Sequence, residues 1–197
     1  MSAKNTAWRY GSVAMTFHWV IALLVIANIC VGLYMGDLPR SDPMKFQIFQ
    51  IHKSIGLTVL VLSILRVLWR FVNPIPPLPA DMNPALKLAA RGTHFLLYFL
   101  IVFIPLTGYI MVSASPLGNG TSYFGLFDWP NLPLFTGMTR EQLHPIHETW
   151  ESVHVALAWS AIVLIPIHIG AALYHGLLRR DGVFARMWPG TKVEPAA

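Results

Sequence analysis

Charge and sulfur are what this 197-residue chain has least of. Only 12% of its residues are Asp, Glu, Lys or Arg, about half the share of a soluble domain. So few cannot cover a water-facing surface, which excludes a soluble all-helical protein built around a large core. A single cysteine, Cys30, excludes a disulfide framework. No internal repeat is convincing, and no pair of Gly-Pro-broken segments recurs in two halves, which argues against a transporter.

What the chain does have is apolar length. Hydrophobic residues make up 55% of it, concentrated in four segments long enough to cross a bilayer. They run from about Val13 to Met35, Ile51 to Val72, Thr93 to Val112 and Glu151 to Leu178. Their lengths favour helices over barrel strands of about ten residues. The expected fold is an all-α integral membrane four-helix bundle, with residues 1–197 as one domain. The first segment has no small-residue cleavage site and is too long for a signal peptide, so it is expected to be retained. Asp81 to Pro84 could start a short interfacial helix, and the Gly-, Pro- and aromatic-rich stretch from Ser113 to Trp150 reads as an ordered cap.

Basic residues set the expected topology. Lys4, Arg9, Arg70, Lys87, Arg91, Arg179, Arg180, Arg186 and Lys192 fall on one side. The positive-inside rule puts that side, with both termini, in the cytoplasm. The inner membrane of a bacterium is the expected location. The net charge of +5 then reflects topology, and nucleic-acid binding need not be invoked.

Histidines inside the apolar segments carry the chemistry. His154 and His168 are fourteen residues apart on one segment, a rise of roughly 21 Å and a turn of about 1400°, close to a whole number of turns. Both imidazoles face one side at two depths. With alternating helix directions, His18 matches His168 in depth towards the cytoplasm, and His52 matches His154 towards the outside. Each pair bridges two helices, as the axial ligands of one haem iron must. Intramembrane histidines more often face a cavity or a partner helix, but four at two matched levels are hard to explain that way. His94 could replace His18, since depth alone does not separate them. Without a CxxCH motif, both haems must be non-covalent b haems with bis-histidine ligation. The fourteen-residue interval also puts Gly32 and Gly108 at the outer level, where a porphyrin edge could approach backbone. It puts Arg66 at the inner level, where a guanidinium could pair with propionates. Ordinary helix packing explains each glycine alone, and snorkelling explains the arginine.

RYGSVAMTFHW (Arg9 to Trp19), HKSIG (His52 to Gly56), RVLWR (Arg66 to Arg70) and the spacing of His154, His168 and His175 together resemble bacterial cytochrome b561. The resemblance covers nearly the whole chain. It implies a di-haem inner-membrane cytochrome, and its functionally understood members oxidise superoxide at the periplasmic face and reduce ubiquinone. Lys53, with Lys45 and Arg40 nearby, would attract such an anion and is the expected residue at the oxidation site. His94 and His175 are expected at a ubiquinone site beside the inner haem, and interfacial anchoring explains them nearly as well. His144 and His147 read as loop histidines, because Pro145 weakens a helical HxxH. Other readings remain. The chain resembles, more distantly, cytochrome b subunits that serve periplasmic dehydrogenases such as nickel–iron hydrogenase, which would make its partner a redox protein. A non-redox scaffold would be colourless.

Overall fold

The computed structural model describes residues 2–191; Lys192, counted above among the basic residues, lies outside them. Four helices dominate: α1 (Ser12–Asp37), α2 (Lys45–Phe71), α3 (Pro84–Ser113) and α4 (Arg140–Leu173), the last continuing as a π-helical turn over Tyr174–Arg179. All four are long and apolar enough to cross a membrane. Between α3 and α4 lie two short antiparallel strands, β1 (Thr121–Tyr123) and β2 (Phe127–Trp129), and a 3-10 turn at Pro133–Phe135.

Three helices start well before their apolar segments, and local capping explains two of the starts. At α3, the Asn83 side chain accepts from the Ala85 N–H at 2.8 Å and Pro84 takes the first position, where its missing N–H costs nothing. The expected interfacial helix is therefore the opening of α3 itself. At α4, Thr139 and Gln142 close a capping box: the Thr139 N–H donates to Oε1 of Gln142 at 2.9 Å, and the Gln142 N–H to the Thr139 hydroxyl at 3.4 Å. This overturns the loop reading of His144 and His147. Both sit in the early turns of α4, because a Pro near a helix start removes a bond without stopping the ladder.

Little of the chain is buried against itself. Leu23, Phe71 and Phe95 are among many large apolar residues left exposed. In water such a surface would aggregate; in a bilayer it is the lipid face. Of the four helices α2 is the most buried, and its Ser54 and Ser63 are fully enclosed. Small side chains allow such close approach.

The contacts divide the chain into two compact units, each drawing on all four helices. One takes Met1–Ala22, Leu62–Phe99 and Ala161–Ala197, within the described residues. The other takes Leu23–Val61 and Leu100–Ser160 and carries the hairpin. They are called here the terminal unit and the cap unit.

Candidate functional site

In the cap unit, α2 and α4 turn His52 and His154 towards each other, with ring centroids 6.3 Å apart and planes crossed at 85°. Facing imidazoles of this kind are the residues that would hold a haem iron between them. His154 is oriented through its other nitrogen. Nδ1 lies 2.9 Å from the Ile104 carbonyl and 3.2 Å from the Thr107 hydroxyl, which itself donates to that carbonyl at 2.8 Å. That network assigns the proton to Nδ1 and leaves Nε2 with its lone pair, as a metal-ligating histidine requires. Nδ1 of His52 is buried without a hydrogen-bond partner, and the Asn28 carbonyl is the acceptor it faces.

The two glycines make these ring positions possible. A Cβ on Gly108 would lie 3.0 Å from Cε1 of His154, and one on Gly32 would lie 3.1 Å from Cε1 of His52. Each glycine is thus met closely by a histidine ring. Beside the pair lies a cavity of about 70 Å³, lined in part by Lys53, Pro105, Gly108 and Thr121.

The terminal unit repeats the arrangement. His18 on α1 and His168 on α4 have centroids 6.3 Å apart and planes crossed at 78°. His94 on α3 also contacts His168, at 5.7 Å. His94 is exposed, whereas His18, His52, His154 and His168 are all half-buried. His18 matches the 6.3 Å spacing of the His52–His154 pair. Arg66 lies within electrostatic range of both His18 and His168 and donates from Nε to the Tyr98 hydroxyl at 3.2 Å.

Among the described residues no group of three or more His, Cys, Asp or Glu side chains could hold a bare metal ion. Two facing imidazoles suit instead a metal that already has four equatorial ligands, which is what a haem brings. Residues 9–190 match the family profile of prokaryotic cytochrome b561. The chain belongs to that family. Haem b is the prosthetic group its members carry. This b561-family chain is 36% identical to cytochrome b561 homolog 2 of Escherichia coli K12, with 95% of both chains covered. It is 26% identical to the probable superoxide oxidase CybB of Yersinia pestis, over 92% of this chain and 96% of the relative. To the probable Ni/Fe-hydrogenase B-type cytochrome subunit of Rhizobium leguminosarum bv. viciae it is 21% identical, over 96% of this chain and 90% of the relative. A b561-family chain with four such helices is a multi-pass bacterial membrane protein.

The remaining sequence candidates have other partners. Lys53 donates to the Gly120 carbonyl at 2.7 Å, so it laces the cap as well as lining the cavity. His175 places Nδ1 2.6 Å from Asp181, which Arg179 also approaches at 3.7 Å. His94 and His175 are thus engaged by different partners, His168 and Asp181. His147 binds the Met111 carbonyl through Nδ1 at 2.8 Å, and His144 lies 3.3 Å from Glu148. The sequence reading missed Tyr98, Thr107 and Asp181. It used Arg70 for topology and in the family motif but gave it no role at the site, although its spacing of four from Arg66 puts both on one helix face.

Proposed function

We propose that this cytochrome holds two b haems, one between His52 and His154 and one between His18 and His168, and passes electrons from superoxide to ubiquinone. The observation that carries the di-haem reading is the repeated 6.3 Å imidazole spacing in both units. Haem when bound supplies the one-electron chemistry; the protein supplies position, insulation and potential. Two superoxide ions each give up one electron and leave as dioxygen. One ubiquinone takes both electrons with two protons and becomes the quinol. Both termini lie in the cytoplasm and the membrane is the inner one, on the charge pattern of the connections.

The residues have distinct parts. Lys53, which lines the cavity beside His52 and His154, draws the anionic donor towards that level. His94, exposed beside His168, and His175, held by Asp181 through Nδ1, flank the quinone at the other level. The Asp181 contact fixes the His175 tautomer and leaves Nε2 to exchange a proton. No nucleophile or general base is needed at the oxidation step, because only an electron leaves. A second reading, a membrane subunit fed by a periplasmic redox protein, is favoured by Leu117, Leu126 and Leu134, exposed between α3 and α4.

The test follows the haem α-band of the purified protein during enzymatic superoxide generation. Rapid reduction that superoxide dismutase abolishes, then reoxidation by ubiquinone, is the expected result. A haem spectrum that superoxide leaves oxidised would move the donor to a protein. A colourless protein, still colourless after haem reconstitution, would sink the haem reading.

A further inference from the structure

Beside the His18–His168 pair, α2 holds two guanidiniums that no carboxylate neutralises among the described residues. Both lie over one aromatic ring. The Arg66 guanidinium carbon is 5.1 Å from the Tyr98 ring centre and that of Arg70 is 4.7 Å from it. The Tyr98 hydroxyl also accepts from Nε of Arg66. Tyr98 therefore spaces two like charges that would otherwise separate, since each cation gains from the π face and the gain grows as water is excluded. The same group of residues lines a small cavity with Tyr10 and Trp69.

No carboxylate lines this cavity. Nε1 of Trp69 is buried with no hydrogen-bond partner, an expensive state unless an acceptor fills it. Tyr10, half-buried just before α1, lies beside Arg70, and burial pushes its phenol above the ordinary value while Arg70 partly offsets the push. The phenol therefore stays protonated. Two cations and an unpartnered indole N–H around one space, with no carboxylate among its lining residues, describe a site for an acid with two carboxylates. Arginine is the side chain whose planar fork suits that geometry.

We propose that Arg66 and Arg70, spaced by Tyr98, form a clamp for the two propionates of the haem held by His18 and His168, with Trp69 and Tyr10 as supplementary donors. The proposal rests on the haem reading above and adds Arg70, Tyr98, Trp69 and Tyr10 to it. Charge supports the assignment. A ferric bis-imidazole haem carries one net positive charge at its iron and porphyrin and two negative charges on its propionates, and the two guanidiniums balance the latter. Arg66 is also within electrostatic range of both ligand imidazoles, and both arginines are within range of His94. The clamp therefore belongs to this pair.

The sign of its effect follows from reduction. Reducing the iron adds a negative charge, which a nearby cation favours, so removing a guanidinium must lower the potential of this haem. The test is potentiometric titration of the holoprotein, with propionate bending bands followed by resonance Raman. In Arg70→Gln, one of the two midpoint potentials should fall by the equivalent of about tenfold in the reduced-to-oxidised ratio, 59 mV for a one-electron couple. The other should stay in place, and the propionate bands should shift. Arg70→Lys keeps the charge but not the fork, so the bands should shift while most of the potential is retained. Tyr98→Leu, which keeps both charges, should shift the bands and serves if Arg70→Gln does not fold. Unchanged potentials and bands in all variants overturn the clamp. A lowered potential with unchanged bands overturns it too, because the cation would then act through space on carboxylates it does not hold. A wild-type protein without haem would instead overturn the reading on which the proposal rests.

Discussion

His154 and His52 differ in a way that one methyl group can read out. The His154 ring is pinned by the Ile104 carbonyl and the Thr107 hydroxyl, whereas Nδ1 of His52 has no hydrogen-bond partner. A Cβ added at Gly108 or Gly32 meets its histidine at nearly the same distance, 3.0 or 3.1 Å. The two substitutions are nonetheless unequal, because only the His52 ring is free to yield. Gly108→Ala should displace the His154 ring at a cost of about 1–3 kcal/mol and lower haem retention at that site. Gly32→Ala should keep most of it. Haem-to-protein ratios of the two variants after purification check the order, and equal retention would show that the Nδ1 contacts do not hold the ring.

At the scale of elements, the cap is laced to α2 through side chains spaced for one helix face. Gln50 donates to the Gly120 carbonyl at 3.2 Å and accepts from the Ser122 N–H at 3.0 Å. Ser54 accepts from the Phe124 N–H at 3.0 Å, and Thr58 meets the Tyr123 hydroxyl at 2.9 Å. The hairpin turns through Phe124 and Gly125, both at positive φ, 49° and 73°. A two-residue turn of this hand suits Asn-Gly and strains Phe. Ser54→Ala should loosen the cap by about 1–3 kcal/mol by leaving the Phe124 N–H without its acceptor, and Phe124→Asn should tighten it. Amide exchange over residues 120–129 measures both, and slower exchange in Ser54→Ala than in the parent would refute the lacing. The capping box at Thr139 and Gln142 was not read from the sequence, where Pro145 alone spoke against a helix. Hydropathy alone stops at the last apolar residue, while the helix ladder runs on to its cap.

For the whole molecule, each compact unit contains one complete imidazole pair. Losing one pair should therefore leave the other able to bind. His154→Ala should halve the haem content and leave the remaining midpoint potential close to its parental value, and His168→Ala should do the converse. Quantitative haem extraction with redox titration decides this; loss of both haems from either variant would mean that the pairs do not form independently.

The number of helices, their apolar length and the fourteen-residue interval between His154 and His168 were determined by the sequence, because they depend on periods within one segment. Gly32 and Gly108 were also marked by that interval, though not the rings that meet them. Only the tertiary structure decided that His18 stands 6.3 Å and His94 5.7 Å from His168. It likewise brought Tyr98 between Arg66 and Arg70 and gave His175 to Asp181. Such choices depend on the rotation and register of one helix against its neighbour. A 5.7 Å and a 6.3 Å neighbour differ by a few degrees of helix rotation, which no single-helix periodicity encodes.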